Sequence, residues 1–240
     1  MLSYKRLKKQ ARRFLAFTGL THREFKTLLP LFEQAYTQLY PPTRTLLGQV
    51  RQRVAGGGRK SVLEESADKL FFILVYQKTY PLQIVQAELF GLSQASANYW
   101  IHHLLPVLAQ ALQDLGVKPE RDGRQLPRAE RWHKESAELI IDGTERRRQR
   151  PKNPEKQRLH YSGKKKAHSD KNLVIAHTHS RRVAYLSPTY VGKTHDKKMA
   201  DQEQIAYPPA TTLHQDTGFQ GYHPKGARVC QPKKSRAGKN

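Results

Sequence analysis

The sequence predicts two folds in series, a helical front half followed by an α/β or α+β second half, and three observations carry that expectation. Apolar residues recur at helical spacing between about residues 21 and 105. From Ala137 onward they fall instead into short runs bounded by turn residues. Between the two, Gln110 to Glu130 is polar and carries Pro119, Gly123 and Pro127, the composition of a domain boundary. The expected limits are 1–112 for the helical region, 113–132 for a linker and 133–240 for the second domain.

The first helix opens at a capping box, Thr21 with Glu24, behind which Phe25, Leu28, Leu29, Phe32, Tyr36 and Leu39 repeat on one face. Pro30 is placed to kink it. Pro41, Pro42 and the run Gly56, Gly57, Gly58 mark a loop. A second box, Ser61 with Glu64, is expected to open a helix that buries Leu63, Ala67, Leu70, Phe71 and Leu74, and Pro81 ends it.

A short helix, Leu82 to Phe90, then a turn of Gly91, Leu92 and Ser93, then a helix from Gln94 to about Leu105 make a helix-turn-helix outline over about 82–105. The second of these helices turns Ala97, Trp100, Ile101 and Leu104 inward. That leaves Gln94, Ser96, Asn98 and Tyr99 outward on its first turns, where base edges would be read. Two packed helices of any all-α domain would show the same spacing, so the motif gains its meaning from charge.

Lys and Arg number 43 against 20 Asp and Glu, a net charge of +23, with the larger share of the excess after residue 120. Such a surplus repels itself in the folded state and points to a polyanionic partner, nucleic acid ahead of a membrane surface. No run of about 18 apolar residues exists, and no cleavable leader pattern follows the basic start from Tyr4 to Arg13. A cytoplasmic, nucleoid-associated protein with no membrane partner is the expectation. Cys230 is the sole cysteine, which excludes an intrachain disulfide and a cysteine-type zinc site.

In the second half, Ala137 to Ile141 is an apolar run ending in Asp142 and Gly143. Leu173 to Ala176 and Val183 to Leu186 read as a hairpin, Thr194 to Ile205 as a helix, and Thr211 to Leu213 as a brief strand leading to Asp216 and Gly218. Asp142 and Asp216 both fall at strand ends, where neighbouring strands would bring two carboxylates together. Phosphodiester hydrolysis needs charge stabilisation on the attacking and leaving oxygens, which two divalent ions about 3.5–4 Å apart supply. Hard cations such as magnesium favour carboxylate oxygens and retained water.

The strings IIDGTERRRQRPKNPEKQRLHYSGKKKAHSDKNLVI, YLSPTYVGKTHDKKMADQEQI and TLHQDTGFQGYHPKG resemble the insertion-sequence DDE transposases that join a helix-turn-helix to a DDE endonuclease domain. The likeness runs almost continuously from Asp142 to Gly226 and is looser over the helical half. It implies an incomplete ribonuclease-H-like mixed sheet, with Asp142 and Asp216, 74 residues apart, as the first two catalytic acids and ligands of Mg2+ or Mn2+. It further implies cleavage at terminal inverted repeats and strand transfer into target DNA. Implied partners are double-stranded DNA at the element ends and target, a homo-oligomer, and a downstream-frame product.

The family's third acid, a Glu, has no counterpart, since no Asp or Glu follows Asp216. The expectations are therefore an upstream-frame or decayed transposase, or a catalytically silent DNA-binding fragment that regulates transposition. Asp196, Asp201 and Glu203 are weighed as stand-ins and set aside because they precede Asp216 and are expected on another face. Arg146, Arg147 and Arg148, with Lys164, Lys165 and Lys166, are dense enough to track phosphates. Gly192, Lys193 and Thr194 end like a phosphate loop but lack its first glycine, which is Ser187 here. His177 and His179 alternate on a strand and are expected at the surface without a third metal ligand. A basic RNA-binding protein is the weakest reading, because no aromatic RNA-binding signature is present.

Overall fold

The computed structural model describes residues 1–45, 48–52, 61–128 and 138–232. The expected glycine loop at 56–58, Ala137, the last four linker residues and the final AGKN lie outside the described residues. Two units are formed, Met1–Val117 and Lys118–Asn240.

The first unit is helical: α1 (Tyr4–Leu7), α2 (Ala11–Thr18), α3 (His22–Leu39), α4 (Ser66–Thr79), α5 (Gln83–Phe90) and α6 (Gln94–Asp114). Helix α3 starts at the expected capping box: the Glu24 amide donates to Thr21 Oγ1 and the Thr21 amide to Glu24 Oε2. The second expected box does not form. Ser61 Oγ accepts from the Leu63 amide instead, and α4 begins only at Ser66. From there Leu70 to Val75 are buried without a break, so α4 is the central helix that the others surround. Helix α6 continues through Pro106 to Asp114, beyond its expected end near Leu105. Burial of Val107, Leu108 and Ala111 offsets the hydrogen bond that the proline removes.

The second unit holds β1 (Glu138–Arg147), α7 (Pro154–His160), β2 (Tyr161–Ser162), β3 (Ala167–His177), β4 (Val183–Leu186), β5 (Tyr190–Val191), α8 (Asp196–Glu203), β6 (Thr211–Gln215) and β7 (Ala227–Cys230). Its mixed sheet has the order β2-β3-β1-β6-β7, with β4 and β5 also pairing β3. Strand β1 runs antiparallel to β3 and parallel to β6, and β7 is parallel to β6. The expected hairpin is β3 and β4, with a bulge between Ile175 and Ala176.

Alternation along the strands sends Leu139, Ile141, Leu173, Ile175, Tyr185 and Leu213 to one face, where Leu126, Ala200, Ile205 and Phe219 cover them. Among the described residues of the opposite face, Ile140 is 46% exposed and Val183 38%. Residues 118–128, expected within the linker, belong to this unit. The Glu120 amide donates to the Ala184 carbonyl, and Leu126 is fully buried in the sheet core. Helix α8 is fastened by Glu203, whose carboxylate accepts the hydroxyls of Tyr185 and Tyr190. Among the described residues, no helix is long and apolar enough to cross a membrane.

Candidate active edge and nucleic-acid interface

Strand β1 does not stop at Asp142. It runs on to Arg147 against β3, whereas its parallel pairing with β6 ends at Ile141 opposite Gln215. Asp142 and Asp216 are each the next residue after that last pair, Asp142 inside β1 and Asp216 directly after β6. Ile141 and Gln215 are buried, whereas both aspartates are exposed. Asp142 Oδ1 accepts from the Gly143 amide at 2.7 Å, and Asp216 Oδ1 from the Gly218 amide at 2.9 Å. In both cases the neighbouring backbone orients the carboxyl group.

The basic residues divide into two sets. Arg146 Nη2 donates to Asn172 Oδ1, and Arg148 Nη1 to Asp170 Oδ1, an acceptor that His160 Nδ1 also meets at 2.8 Å. These two guanidinium groups are engaged within the unit. Arg147 is exposed on the same strand, and Lys164, Lys165 and Lys166 are exposed at the turn between β2 and β3, with Lys166 in the left-handed region at φ 49°.

In the helical unit, Gly91 ends α5 at φ 65°, the Leu92 amide returns to the Ala87 carbonyl, and Ser93 Oγ caps α6 through the Ser96 amide. Gln94 and Tyr99 are exposed, while Ser96 and Asn98 are half-buried. Asn98 Nδ2 donates to Gln83 Oε1 and Ser96 Oγ accepts from Ser93 Oγ. The ring of Tyr99 stacks on His103 at 5.1 Å, and Tyr40 stacks on His103 at 3.6 Å. Burial, reinforced by nearby Lys69, holds the His103 imidazole below its usual pKa.

Residues 141–239 match the family model of the DDE superfamily endonuclease, and residues 62–114 match that of the helix-turn-helix of DDE superfamily endonuclease. The chain is a DDE-superfamily, transposase-like protein. No curated protein and no solved structure matches it. The helical unit contains the matched helix-turn-helix, and the mixed sheet lies in the matched endonuclease segment.

Endonucleases of the DDE superfamily generally use divalent metals. Exposed carboxylates such as those of Asp142 and Asp216 are the donor type that a hard cation with retained water takes. Among the described residues, however, no group of three or more His, Cys, Asp or Glu could hold a metal ion.

The stand-in acids are otherwise occupied in this transposase-like fold. Asp196 reaches the edge from the covered side: a methyl group built on Gly143 would meet its Oδ1 at 2.5 Å, and one on Gly218 its Oδ2 at 3.2 Å. Lys171 Nζ holds that carboxylate at 3.3 Å and also donates to the Thr194 carbonyl. Asp201 pairs with Lys197, and Glu203 is taken by the two tyrosines. Lys171 also faces Glu145. Burial pushes that carboxyl up, but the hydroxyls of Ser162 and Ser169 together with Lys171 and Lys165 outweigh it and hold the group below its usual range.

Sequence reasoning missed the Lys171–Asp196 pair, and the only trace of it was the short spacing of a glycine after each aspartate. It also missed α7, although Asn153 followed by Pro154 is a helix-start signal; Asn153 Oδ1 accepts from the Glu155 and Lys156 amides. In the GKT segment the amides of Gly192, Lys193 and Thr194 donate to the carbonyls of Ser169, Leu159 and Val191, so all three are engaged within the fold. His177 is a correction: expected at the surface, it is 6% exposed, whereas His179 is exposed and faces Glu138.

Proposed function

We propose that this chain is the transposase of an insertion sequence, with Asp142 and Asp216 as carboxylate ligands of Mg2+ or Mn2+ beside bound DNA. The helix-turn-helix and endonuclease matches support a transposase-like, DNA-binding and DNA-cleaving function. One observation carries the site: the β1–β6 register runs directly to two exposed aspartates.

In this reading the helix-turn-helix selects the terminal inverted repeats through the exposed first turns of α6, chiefly Gln94 and Tyr99. Asn98 and Ser96 hold the helix in place. Arg147 and the lysines 164–166 contact phosphates, and Arg146 and Arg148 stiffen the strand that carries Asp142. A bound divalent ion would supply charge stabilisation on the phosphate oxygens during cleavage. The aspartates hold it, and the two backbone amides fix their orientation. Assembly as a homo-oligomer belongs to the same proposal.

A second reading is favoured by the missing group of three metal-binding residues among the described residues. It is a catalytically silent fragment that occupies the element ends and regulates transposition.

Nicking of a supercoiled plasmid carrying the element ends, with Mg2+ or Mn2+, tests both. The first reading expects metal-dependent nicking that Asp142→Ala and Asp216→Ala each reduce by about a thousandfold or more while DNA binding persists. Undiminished nicking by Asp142→Ala sinks the site assignment. A specific mobility shift on the ends without nicking selects the silent fragment.

A further inference from the structure

The helix-turn-helix has an electrostatic peculiarity. Between Lys78 and Lys118 there is no Lys or Arg, so α5 and α6 carry only the charges of Glu88 and Asp114 and have no fixed cation for a phosphate backbone. The phosphate term supplies nearly all non-specific affinity for a duplex and a large share of specific affinity. A reading helix without cations therefore needs them from elsewhere, and the helical unit has them.

They are concentrated at its start. Lys5, Arg6, Lys8, Lys9, Arg12 and Arg13 fall within nine residues, no acid precedes Glu24, and all six are exposed. Among the described residues no carboxylate pairs with any of them. Their partners are neutral: Arg6 donates to the Met1 carbonyl, Arg13 to Gln10 Oε1, and Lys8 lies 5.9 Å over the Tyr4 ring.

The segment is an anchored part of the fold. Leu7 and Phe14 are buried in the helical core, and the Tyr4 ring stacks on Phe25 at 4.8 Å. The Tyr4 amide donates to Asp68 Oδ1, and the Leu2 amide to the Leu89 carbonyl on α5. Arg6 and Arg13 line one groove with Val85 and Glu88 of α5. In helix-turn-helix docking the first helix of the motif crosses the DNA backbone, and here the basic segment is fixed to that helix.

We infer that α1 and α2 form the phosphate clamp of the helical unit, gripping the backbone of duplex DNA through Lys5, Arg6, Lys8, Lys9, Arg12 and Arg13. The clamp lies outside the matched helix-turn-helix segment, and the inference rests on the DNA-binding reading above. Division of labour follows: α6 discriminates sequence, and the clamp provides strength without discrimination.

The test is fluorescence anisotropy of the full chain on a 30-base-pair duplex of mixed sequence, titrated with salt. The variant carries Lys5→Gln, Lys8→Gln, Lys9→Gln and Arg12→Gln together. Because these side chains are exposed, its melting temperature is expected to stay at or above that of the parent. The slope of log affinity against log salt should flatten by about 0.9 for each phosphate that is no longer neutralised, and binding at 0.1 M salt should weaken about tenfold or more. The weakening should be equal on unrelated duplexes.

An unchanged slope in a parent-like, folded variant overturns the clamp while leaving the DNA-binding reading intact. A parent chain with no affinity for any duplex overturns both. If the variant loses binding to phosphatidylserine vesicles but not to DNA, the patch is a membrane-binding surface and the clamp is wrong. The clamp also fails if only binding to duplex RNA is lost.

Discussion

The two units solve different problems of burial. In the helical unit the buried set is almost wholly apolar, with Thr18 and Gln86 as its buried polar residues among those described. The sheet unit buries Ser162, Ser169, Asn172, His177, Ser187, Thr211 and Gln215. Thr18 bonds back to the Phe14 carbonyl and Gln86 donates to the Phe72 carbonyl, so even these two serve helix packing. In the sheet unit buried polar groups link strand to strand and set where charged side chains stand. An oily core can hold a reading surface in place, whereas an edge that must orient carboxylates and guanidinium groups needs directional bonds.

The largest expected effect tests the oily side of this contrast. Phe14 is fully buried among Tyr4, His22, Phe25 and Phe71, with ring centroids 4.2 to 6.1 Å away. Phe14→Ala should destabilise the helical unit by about 3–5 kcal/mol, measured by chemical denaturation followed by far-ultraviolet circular dichroism. Destabilisation of under about 1 kcal/mol would mean that the unit repacks freely and is no rigid carrier for its basic segment.

The directional side comes next. Asn172 is 5% exposed; its Nδ2 faces the carbonyls of Ser187 and Pro188 and the Thr189 hydroxyl, while its Oδ1 accepts from Arg146. Asn172→Ala should cost about 1–3 kcal/mol, because acceptors that remain buried lose their donor. It should also release Arg146. A hydrophobic replacement of similar size, Asn172→Leu, that proved as stable as the parent would show that the polar network adds no stability.

Alkali offers a contrast without mutation. Burial, followed by the hydrogen bond to Glu203, pushes the Tyr185 and Tyr190 hydroxyls far above the ordinary tyrosine value of 10.0. Burial does the same to Tyr207, with Tyr222 beside it. A folded-state pKa raised above the unfolded one means that stability is complete below about pH 10 and declines as pH rises toward the folded value. Tyr36, Tyr40 and Tyr76 of the helical unit are also raised, chiefly by burial, but less far. Melting followed between pH 9 and 11 should therefore show the sheet unit losing stability first. Parallel loss in both units would remove the distinction.

What the sequence made legible follows the same division. Local signals placed the starts of α3 and α6, because Thr21 and Ser93 act on amides three residues away. The β3–β4 hairpin was visible as two apolar runs around a polar turn. The continuation of β1 to Arg147 was not, since charged side chains on an exposed strand face look like a loop until β3 pairs with them. Helix α6 ran past Pro106 because tertiary burial outweighed a local breaker. Asp142 and Asp216 were read from their places after apolar runs and from strings resembling a family, whereas the pairing that leads up to both, Ile141 with Gln215, is seen only in the β1–β6 register. The Lys171–Asp196 pair arises only when the crossover through α8 returns to the sheet, a long-range event with no sequence period of its own.

The smallest expected effect sharpens the role of the helical unit. Ser93 Oγ accepts from the Ser96 amide at 3.1 Å and also bonds Ser96 Oγ, and it caps a helix whose first turns present Gln94 and Tyr99. Ser93→Ala should cost about 1 kcal/mol, and Ser93→Gly only a few tenths, because glycine at an N-cap leaves the amides open to water. Thr21→Ala, which breaks the box on α3, should cost a similar amount in stability. The two caps differ in what they hold. Fraying at Ser93 loosens the turns proposed to read sequence, whereas fraying at Thr21 loosens a turn remote from them in the chain. Discrimination between matched and mismatched duplexes should therefore fall with Ser93→Ala and persist with Thr21→Ala at equal stability. Equal losses of discrimination would place sequence reading elsewhere than the first turns of α6.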